Sequence, residues 1–235
     1  MTQFQLAPGA RLNATLLGQE QEPLLQSDGI LADPDELVRG VSASDLLPAY
    51  SPAGGFPGLR SALPSDYIQK VVNVLTGPIA EAFSLGAVRP IRAQGAFSLV
   101  TLPPDALAPP QRAPHVDSVD PMQFAILHYL CGADHGGTSF YRHRATGFET
   151  LSPSRLASYD AHRAGEATLD GYVEDGAPWF EPIMQVSAEM NRLIVYRSCV
   201  LHSGRVPSPE RLSPDPETGR LTANIFVTFI PASLP

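Results

Sequence analysis

Proline and glycine interrupt this chain too often for a fold built from long helices. The 235 residues include 24 prolines and 19 glycines, and both residue types break or bend regular elements and mark turns. One long segment, residues 65–83, has apolar residues at helical spacing, and Ser65 is its predicted N-cap. A second helix is predicted over residues 152–169, with Pro153 in its first turn. We therefore expect a fold made mainly of short strands.

Short strand-like segments follow one another from the middle of the chain to its end. They are expected at residues 96–102, 123–130, 138–143, 182–186, 192–196, 198–203 and 220–230. Several short strands at regular spacing, with one helical interruption, are typical of a β-sandwich or a β-barrel. The helix at residues 65–83 is expected to cover one of the sheets.

The last predicted strand alternates between two kinds of residue. One face carries polar and aromatic side chains, and the other is apolar: Arg220, Thr222, Asn224, Phe226 and Thr228 on the first, Leu221, Ala223, Ile225, Val227 and Phe229 on the second. Successive side chains of a strand point to opposite faces of the sheet. The alternation therefore predicts that the polar face lines an internal pocket and that the apolar face packs against the covering helix.

Composition excludes several classes of partner. The formal net charge is −8 and the pI is near 5.2, which argues against non-specific binding of nucleic acid. No run reaches the roughly 18 apolar residues of a membrane helix, and the N-terminal stretch has no signal-peptide pattern. We expect a cytoplasmic protein with neither nucleic acid nor a membrane as a partner.

The pattern His115-Val116-Asp117 places an imidazole and a carboxylate on the same face of an extended strand. A further histidine, His202, lies in a strand-like segment much later in the chain. Two imidazoles and one carboxylate form the facial triad of non-heme Fe(II) oxygenases, which leaves the other metal positions open. We predict that His115, Asp117 and His202 bind a metal and are the catalytic residues. The alternative is that they are ordinary polar residues at strand ends or in the core.

A bidentate anionic co-substrate such as 2-oxoglutarate needs a basic side chain for its far carboxylate, and the arginine fork matches that group. Three arginines follow the second histidine: Arg205, Arg211 and Arg220. We favour Arg220 because it opens the alternating last strand. Gln123 and Tyr129 share one face of another strand and are predicted to hydrogen-bond the co-substrate. Ordinary sheet packing of both residues is the alternative.

Four motifs carry a resemblance to a known family: Phe56-Pro57-Gly58-Leu59-Arg60, Pro114-His115-Val116-Asp117, residues 136–143 and Leu201-His202-Ser203-Gly204. With them the chain resembles the Fe(II)/2-oxoglutarate-dependent dioxygenase superfamily, and more narrowly the uncharacterised bacterial DUF6445 group. The resemblance implies a mainly β fold with flanking helices, namely a double-stranded β-helix, which is a cupin-like jelly-roll. It implies a single oxygenase domain over residues 1–235, with residues 1–64 as an N-terminal extension and residues 144–180 as a helical insert.

The same resemblance implies Fe(II) as cofactor, 2-oxoglutarate as co-substrate at Arg220, and hydroxylation of a small molecule or an amino-acid or peptide substrate. A carboxylate at position 117 favours hydroxylation, because halogenases of the superfamily have a small residue there. The spacing from His202 to Arg220 is longer than in many members, so Arg205 and Arg211 remain alternatives. Two other functions stay open: a metal-binding cupin-like isomerase or hydrolase that does not use 2-oxoglutarate, and a binding protein. Substrate identity and oligomeric state are also open, with a homodimer among the possible assemblies.

Overall fold

The computed structural model describes residues 5, 7, 9–173 and 177–232. Over these residues the chain forms eleven strands and three α-helices. In chain order they are β1 (Asn13–Leu17), β2 (Glu22–Asp28), α1 (Pro34–Arg39), β3 (Leu47–Ser51), β4 (Gly54–Ala62), α2 (Ser65–Ala82), β5 (Val88–Val100), β6 (Gln123–Tyr129), β7 (Gly137–His143), α3 (Pro153–Arg163), β8 (Phe180–Ser187), β9 (Arg192–Arg197), β10 (His202–Arg205) and β11 (Arg220–Pro231). None of the three helices in this part of the chain combines the length and apolar character needed to cross a membrane.

The strands form two antiparallel sheets of unequal size. The larger sheet has the order β1-β2-β9-β6-β11-β5-β4-β3, and the smaller sheet has the order β10-β7-β8. An isolated bridge between His115 and His202 adds one more extended segment beside β10. The mainly β architecture with few helices is as expected, and it is consistent with a jelly-roll.

Residues before the long helix contribute more to the fold than the sequence suggested. Strands β1 and β2 form one edge of the larger sheet, and β3 and β4 form the other. The strand β4 pairs with β5 from Gly58↔Val100 to Ala62↔Ala96. Because these pairs continue the central sheet, the residues of β4 lie beside those of β5, and β5 separates them from β11.

Helix α2 covers the outer face of the larger sheet. The apolar residues of β11 are fully buried against it: Leu221, Ala223, Ile225, Val227 and Phe229, which join Tyr67, Val71, Leu75 and Ile79 of the helix in one cluster. Full burial of a large apolar side chain contributes about 1.5–3 kcal/mol, so this interface holds the larger sheet rigid. The predicted packing of the apolar face of the last strand is confirmed.

Several boundaries differ from the expectation, and β5 already begins at Val88 instead of residue 96. The N-cap of α2 is Pro64 rather than Ser65, because the backbone of Pro64 is still extended while Ser65 already lies in the helix. Helix α3 ends at Arg163, short of the predicted residue 169. The predicted strand at 198–203 begins only at His202, because the chain first reverses in a turn in which the N–H of Val200 donates to the carbonyl of Arg197.

A buried polar network joins α2 to the sheet. Tyr67 and His128 form a 2.7 Å hydrogen bond, and His128 Nε2 lies 3.1 Å from Asn191 Oδ1. Asn191 Nδ2 donates to the carbonyl of Leu31, which fixes Oδ1 as an acceptor. His128 Nε2 must therefore carry the proton, and Nδ1 accepts from the Tyr67 hydroxyl. Burial lowers the pKa of His128 to about 4, so the imidazole is neutral at physiological pH.

Candidate metal centre

A cavity of about 450 Å³ lies between the two sheets; we call it the inter-sheet cavity. The larger sheet supplies one wall, the smaller sheet supplies the facing wall, and loop residues complete it. The wall residues used below are Phe56, Pro57, Arg60, Thr138, Tyr196, His202, Arg220, Thr222, Asn224 and Phe226, and the residues outside the strands are Pro110, His115, Asp117, Tyr172 and Val173. Its volume falls within the range of small-molecule sites.

Backbone hydrogen bonds bring the three predicted metal ligands together. The N–H of His115 donates to the carbonyl of His202 at 2.9 Å, and the N–H of His202 donates back at 2.9 Å. This exchange places the two rings side by side, with centroids 4.6 Å apart. The N–H of Asp117 donates to the carbonyl of Ser198, also at 2.9 Å, which anchors the carboxylate beside the rings.

The side chains of His115, Asp117 and His202 converge on one point of the cavity wall. One ligand atom from each residue lies within 4.8 Å of the others. The Nε2 atom of His115 lies 3.8 Å from Asp117 Oδ1, and the Nε2 atom of His202 lies 3.5 Å from Oδ2. Two ligands that each lie about 2 Å from a shared ion adopt separations close to these. The arrangement is a candidate His-Asp-His metal site.

The tautomer of His202 suits metal binding. Its Nδ1 lies 2.9 Å from the carbonyl of Val200, so Nδ1 carries the hydrogen and donates it. The lone pair of Nε2 then faces Asp117 and the cavity. A hydrogen bond from the second ring nitrogen to a backbone carbonyl is the usual way in which proteins orient a metal-binding histidine.

The surroundings of His115 favour its neutral form. Burial lowers its pKa to about 4, the nearby His202 imidazole acts in the same direction, and Asp117 and the backbone of Ala113 oppose both. The exposed 53% of its side chain lines the cavity, so the ring is accessible although protein atoms surround it. A neutral imidazole can donate its lone pair to a metal without first losing a proton.

Arg220 lies on the same cavity wall, two residues before Thr222, and is only 4% exposed. Its Nε donates to the carbonyl of His135 at 3.0 Å and its Nη2 donates to the carbonyl of Gly137 at 2.6 Å. These two bonds fix the guanidinium at the end of β11, with Nη1 still able to donate. Arg211, by contrast, is exposed and pairs with Asp134, and Arg205 lies at the end of β10 opposite Gly137.

The two predicted hydrogen-bonding residues of β6 occupy opposite ends of that strand. Tyr129 pairs with Thr222 in the sheet and is fully buried, and its hydroxyl bonds to Thr138 at 2.6 Å. Tyr129 thus supports the cavity wall through Thr138. Gln123 pairs with Thr228 at the far end of β11, about six residues or roughly 20 Å along the strand from Tyr129. The structure does not bring Gln123 to the other predicted residues.

Three further residues of the cavity were not assigned from sequence. Tyr196 packs its ring edge-on against His202, with centroids 4.9 Å apart. The Oδ1 atom of Asn224 is buried without a hydrogen-bond partner among the described residues. Arg60 reaches the cavity from β4. Asn224 was on the predicted polar face and Arg60 ended a noted motif, but their placement depends on the register of β4, β5 and β11.

Two solved structures align with most of this chain but share little sequence with it. HygX from Streptomyces hygroscopicus, solved with nickel, 2-oxoglutarate and hygromycin B, has a TM-score of 0.47 and 11% identity, over 93% of this chain and 89% of that one. A novel N-substituted L-amino acid dioxygenase from Burkholderia ambifaria AMMD has a TM-score of 0.39 and 13% identity, over 94% and 95% of the two chains. At these values the similarity assigns no function to this chain.

Sequence comparison identifies the family of the chain. No curated protein matches the chain. The model of DUF6445, a family of unknown function, matches residues 8–227. This range includes every cavity residue named above. The chain belongs to the DUF6445 family.

Proposed function

We propose that this protein is a non-heme Fe(II)- and 2-oxoglutarate-dependent oxygenase with a double-stranded β-helix fold. The convergence of His115, Asp117 and His202 on one point of the inter-sheet cavity carries the proposal. Two imidazoles and one carboxylate on one side of an ion are the facial triad of this enzyme class. The alternative metals Ni, Zn and Mn also bind such ligands, so the protein as isolated can carry any of them.

The cavity has free polar groups of the kind that a co-substrate needs. Arg220 keeps Nη1 free to pair with the far carboxylate of 2-oxoglutarate. The buried Oδ1 of Asn224 has no partner among the residues that the structure describes, and an unsatisfied buried polar atom costs about 1–3 kcal/mol. A half-turn of the amide would present its NH₂ group to an anion instead. A bound ligand would therefore satisfy groups that the chain alone leaves unpaired.

Each residue has a distinct role in the proposed reaction. His115, Asp117 and His202 would hold Fe(II), and Arg220 would orient 2-oxoglutarate. When bound, the iron and 2-oxoglutarate supply the oxidising power that inserts an oxygen atom from O2 into a C–H bond. Asp117 occupies a ligand position with a carboxylate, which favours hydroxylation. The apolar ring of Phe226 on the cavity wall helps to exclude water from the reacting groups.

Anaerobic titration tests the proposal. Apoprotein is titrated with Fe(II) and then with 2-oxoglutarate, and the visible charge-transfer band of the chelate is followed in the wild type, in His202→Ala and in His162→Ala. His162 is an exposed histidine of α3 and serves as the matched control. We expect the band in the wild type and in the control and its loss in His202→Ala. Substrate screening by succinate release would follow.

A second candidate is a metal-binding jelly-roll that does not use 2-oxoglutarate, such as an isomerase or hydrolase. One observation favours it: the two bonds from Arg220 to the carbonyls of His135 and Gly137 already give that side chain a structural role. In the titration, this candidate predicts that the wild type binds the metal and that none of the proteins shows the charge-transfer band.

A further inference from the structure

We propose that the substrate of the inter-sheet cavity carries a carboxylate group and that Arg60 binds it. The inference rests on the proposed function for the reaction that this substrate undergoes, but the binding of the carboxylate can be measured independently of the reaction.

The sheet register places Arg60 in the same cavity as the metal ligands and Arg220. Arg60 pairs with Ser98 of β5, and Ser98 pairs with Thr222 of β11. Side chains directly opposite one another in paired strands lie on the same face of a sheet. The cavity wall therefore carries a row formed by Arg60, Ser98 and Thr222. Arg220 lies on the same face of β11, two residues before Thr222.

The contacts of Arg60 hold its guanidinium in place but leave its outer edge free. Its Nε donates to the hydroxyl of Ser98 at 3.1 Å. Its guanidinium carbon lies 4.5 Å from the centroid of the Phe56 ring, over the ring face. These contacts leave the two Nη groups available, and they are the pair of donors that grips a carboxylate in a two-point bond.

The positive charge of Arg60 has no directly paired carboxylate among residues 5, 7, 9–173 and 177–232. Within the part of the chain that the structure describes, no carboxylate lies within 4.0 Å of its guanidinium. Asp117 is close enough to influence the charge, but both of its oxygens face the two histidines. Withdrawal of a charge from water is unfavourable unless the charge is paired. An unpaired arginine in the wall of a cavity is thus a site that an anionic ligand completes.

Arg60 and Arg220 are suited to different anions. Arg220 is buried and bonded to two backbone carbonyls, whereas Arg60 is half-buried and held only by Ser98 and Phe56. The co-substrate 2-oxoglutarate has one carboxylate far from its metal-binding end, and one arginine neutralises it. The second arginine in the cavity is then available for a second anion, which is the substrate.

A carboxylate fits the surroundings of Arg60 better than a phosphate. One guanidinium balances the single charge of a carboxylate but leaves a phosphate monoester, with its charge of about −1.5 to −2, under-compensated. Phe56 packs against the guanidinium, and the cavity lining also includes the apolar or aromatic residues Pro57, Pro110, Tyr172 and Val173. The substrate class is therefore a carboxylic acid with an apolar body.

The test measures binding of carboxylates with turnover blocked. The protein is loaded with Mn(II) and N-oxalylglycine, an unreactive analogue of 2-oxoglutarate, so that the metal site and Arg220 are occupied. Aliphatic, aromatic and N-acylamino carboxylic acids are then added, each beside its primary amide and its phosphate monoester counterpart. Thermal stabilisation gives affinity, and relaxation of the ligand protons by Mn(II) reports proximity to the metal. The variants are Arg60→Gln, Arg60→Lys and, as a control, Arg92→Gln on the exposed part of β5.

We expect at least one acid to stabilise the wild type and the Arg92→Gln control, and its amide to fail. Affinity should fall about ten- to a hundred-fold in Arg60→Gln, which corresponds to loss of a hydrogen bond to a charged group. Arg60→Lys keeps the positive charge and should retain part of the affinity for the acid. This variant therefore distinguishes an effect of the lost charge from an effect of misfolding. The inference is overturned if no acid stabilises the wild type, if amides or phosphates bind instead, or if Arg60→Gln binds the acid normally.

Two further results separate this inference from the proposed function. If Mn(II) and N-oxalylglycine do not bind, ligand relaxation is absent in every variant and the proposed function fails, yet acid-induced stabilisation that depends on Arg60 would still support the inference. If Arg60→Gln instead abolishes binding of N-oxalylglycine, Arg60 serves the co-substrate and the inference is wrong.

Discussion

The Nε2 atom of His202 lies 3.5 Å from Oδ2 of Asp117, although four strands and helix α3 separate the two residues in the sequence. The other carboxylate oxygen of Asp117 faces His115 at 3.8 Å. The carboxylate thus lies between two imidazoles whose backbones are held by reciprocal hydrogen bonds. This rigidity means that a metal could bind with little reorganisation of the chain.

Removal of the central carboxylate should weaken metal binding. We expect Asp117→Ala to lower the affinity for Fe(II) because one of the three proposed ligands is lost. The decrease should exceed the ~10- to 100-fold that follows from loss of a residue that only hydrogen-bonds to a ligand. Anaerobic titration with Fe(II), read by equilibrium dialysis, measures the effect. Asp160→Ala on α3 is the control and should bind as the wild type does. Unchanged affinity in Asp117→Ala would rule out the His-Asp-His site.

Substitution of Arg220 should affect 2-oxoglutarate and leave the metal in place. We expect Arg220→Lys to bind 2-oxoglutarate about ten-fold or more weakly, since a flexible lysine ammonium cannot keep the bonds to the carbonyls of His135 and Gly137 and also hold a donor in the position of Nη1. Arg211→Gln removes an exposed arginine bonded to Asp134 and should change neither affinity. Titration of the metal-loaded protein with 2-oxoglutarate measures both. A loss in Arg211→Gln but not in Arg220→Lys would reverse the assignment.

The buried His128 should make the protein less stable in acid. Burial lowers its pKa from the ordinary value of 6.5 to about 4 in the folded protein, so between these pH values the unfolded chain binds a proton that the folded protein does not. Its contribution to stability is complete above about pH 6.5 and is lost as the pH falls towards 4. Between pH 7.5 and 5.0 the lost part is about 2 kcal/mol.

Urea denaturation at those two pH values tests the role of His128. The variant His128→Gln keeps an acceptor for Tyr67 and a donor for Asn191 but does not titrate. We expect its free energy of unfolding to fall by about 2 kcal/mol less than that of the wild type between pH 7.5 and 5.0. Parallel pH dependence in the two proteins would show that His128 is not responsible.

Replacement of two glycines by alanine should change the stability of the protein in opposite directions. A Cβ on Gly58 would lie 2.0 Å from the carbonyl oxygen of Leu99, so Gly58→Ala must push β4 away from β5 and displace Arg60. Overpacking of this kind costs about 1–3 kcal/mol. Gly77 lies on the exposed side of α2 with nothing within 4 Å, and Gly77→Ala should stabilise by about 0.5–1 kcal/mol. Thermal melts of the two variants compare these effects, and equal shifts would contradict the close approach at Gly58.

Local sequence patterns determined the elements of this fold. The apolar spacing of residues 65–83 predicted α2, and the alternation after Arg220 predicted both faces of β11 correctly, because helical and strand periodicities are set by backbone geometry within a few residues. The spacing of His115 and Asp117 likewise placed two ligand types on one side of an extended segment. These predictions needed no knowledge of distant contacts.

Only the tertiary structure decided which residues share the cavity. Gln123 and Tyr129 lie on one face of β6, as their alternation indicated, but the register with β11 leaves Gln123 at the far end. Arg60 enters the cavity because β4 joins the sheet beside β5, and no local pattern encodes that pairing. The period of a strand fixes the face on which a side chain lies, but its neighbours across the sheet depend on register and strand order, which are set by packing of the whole chain.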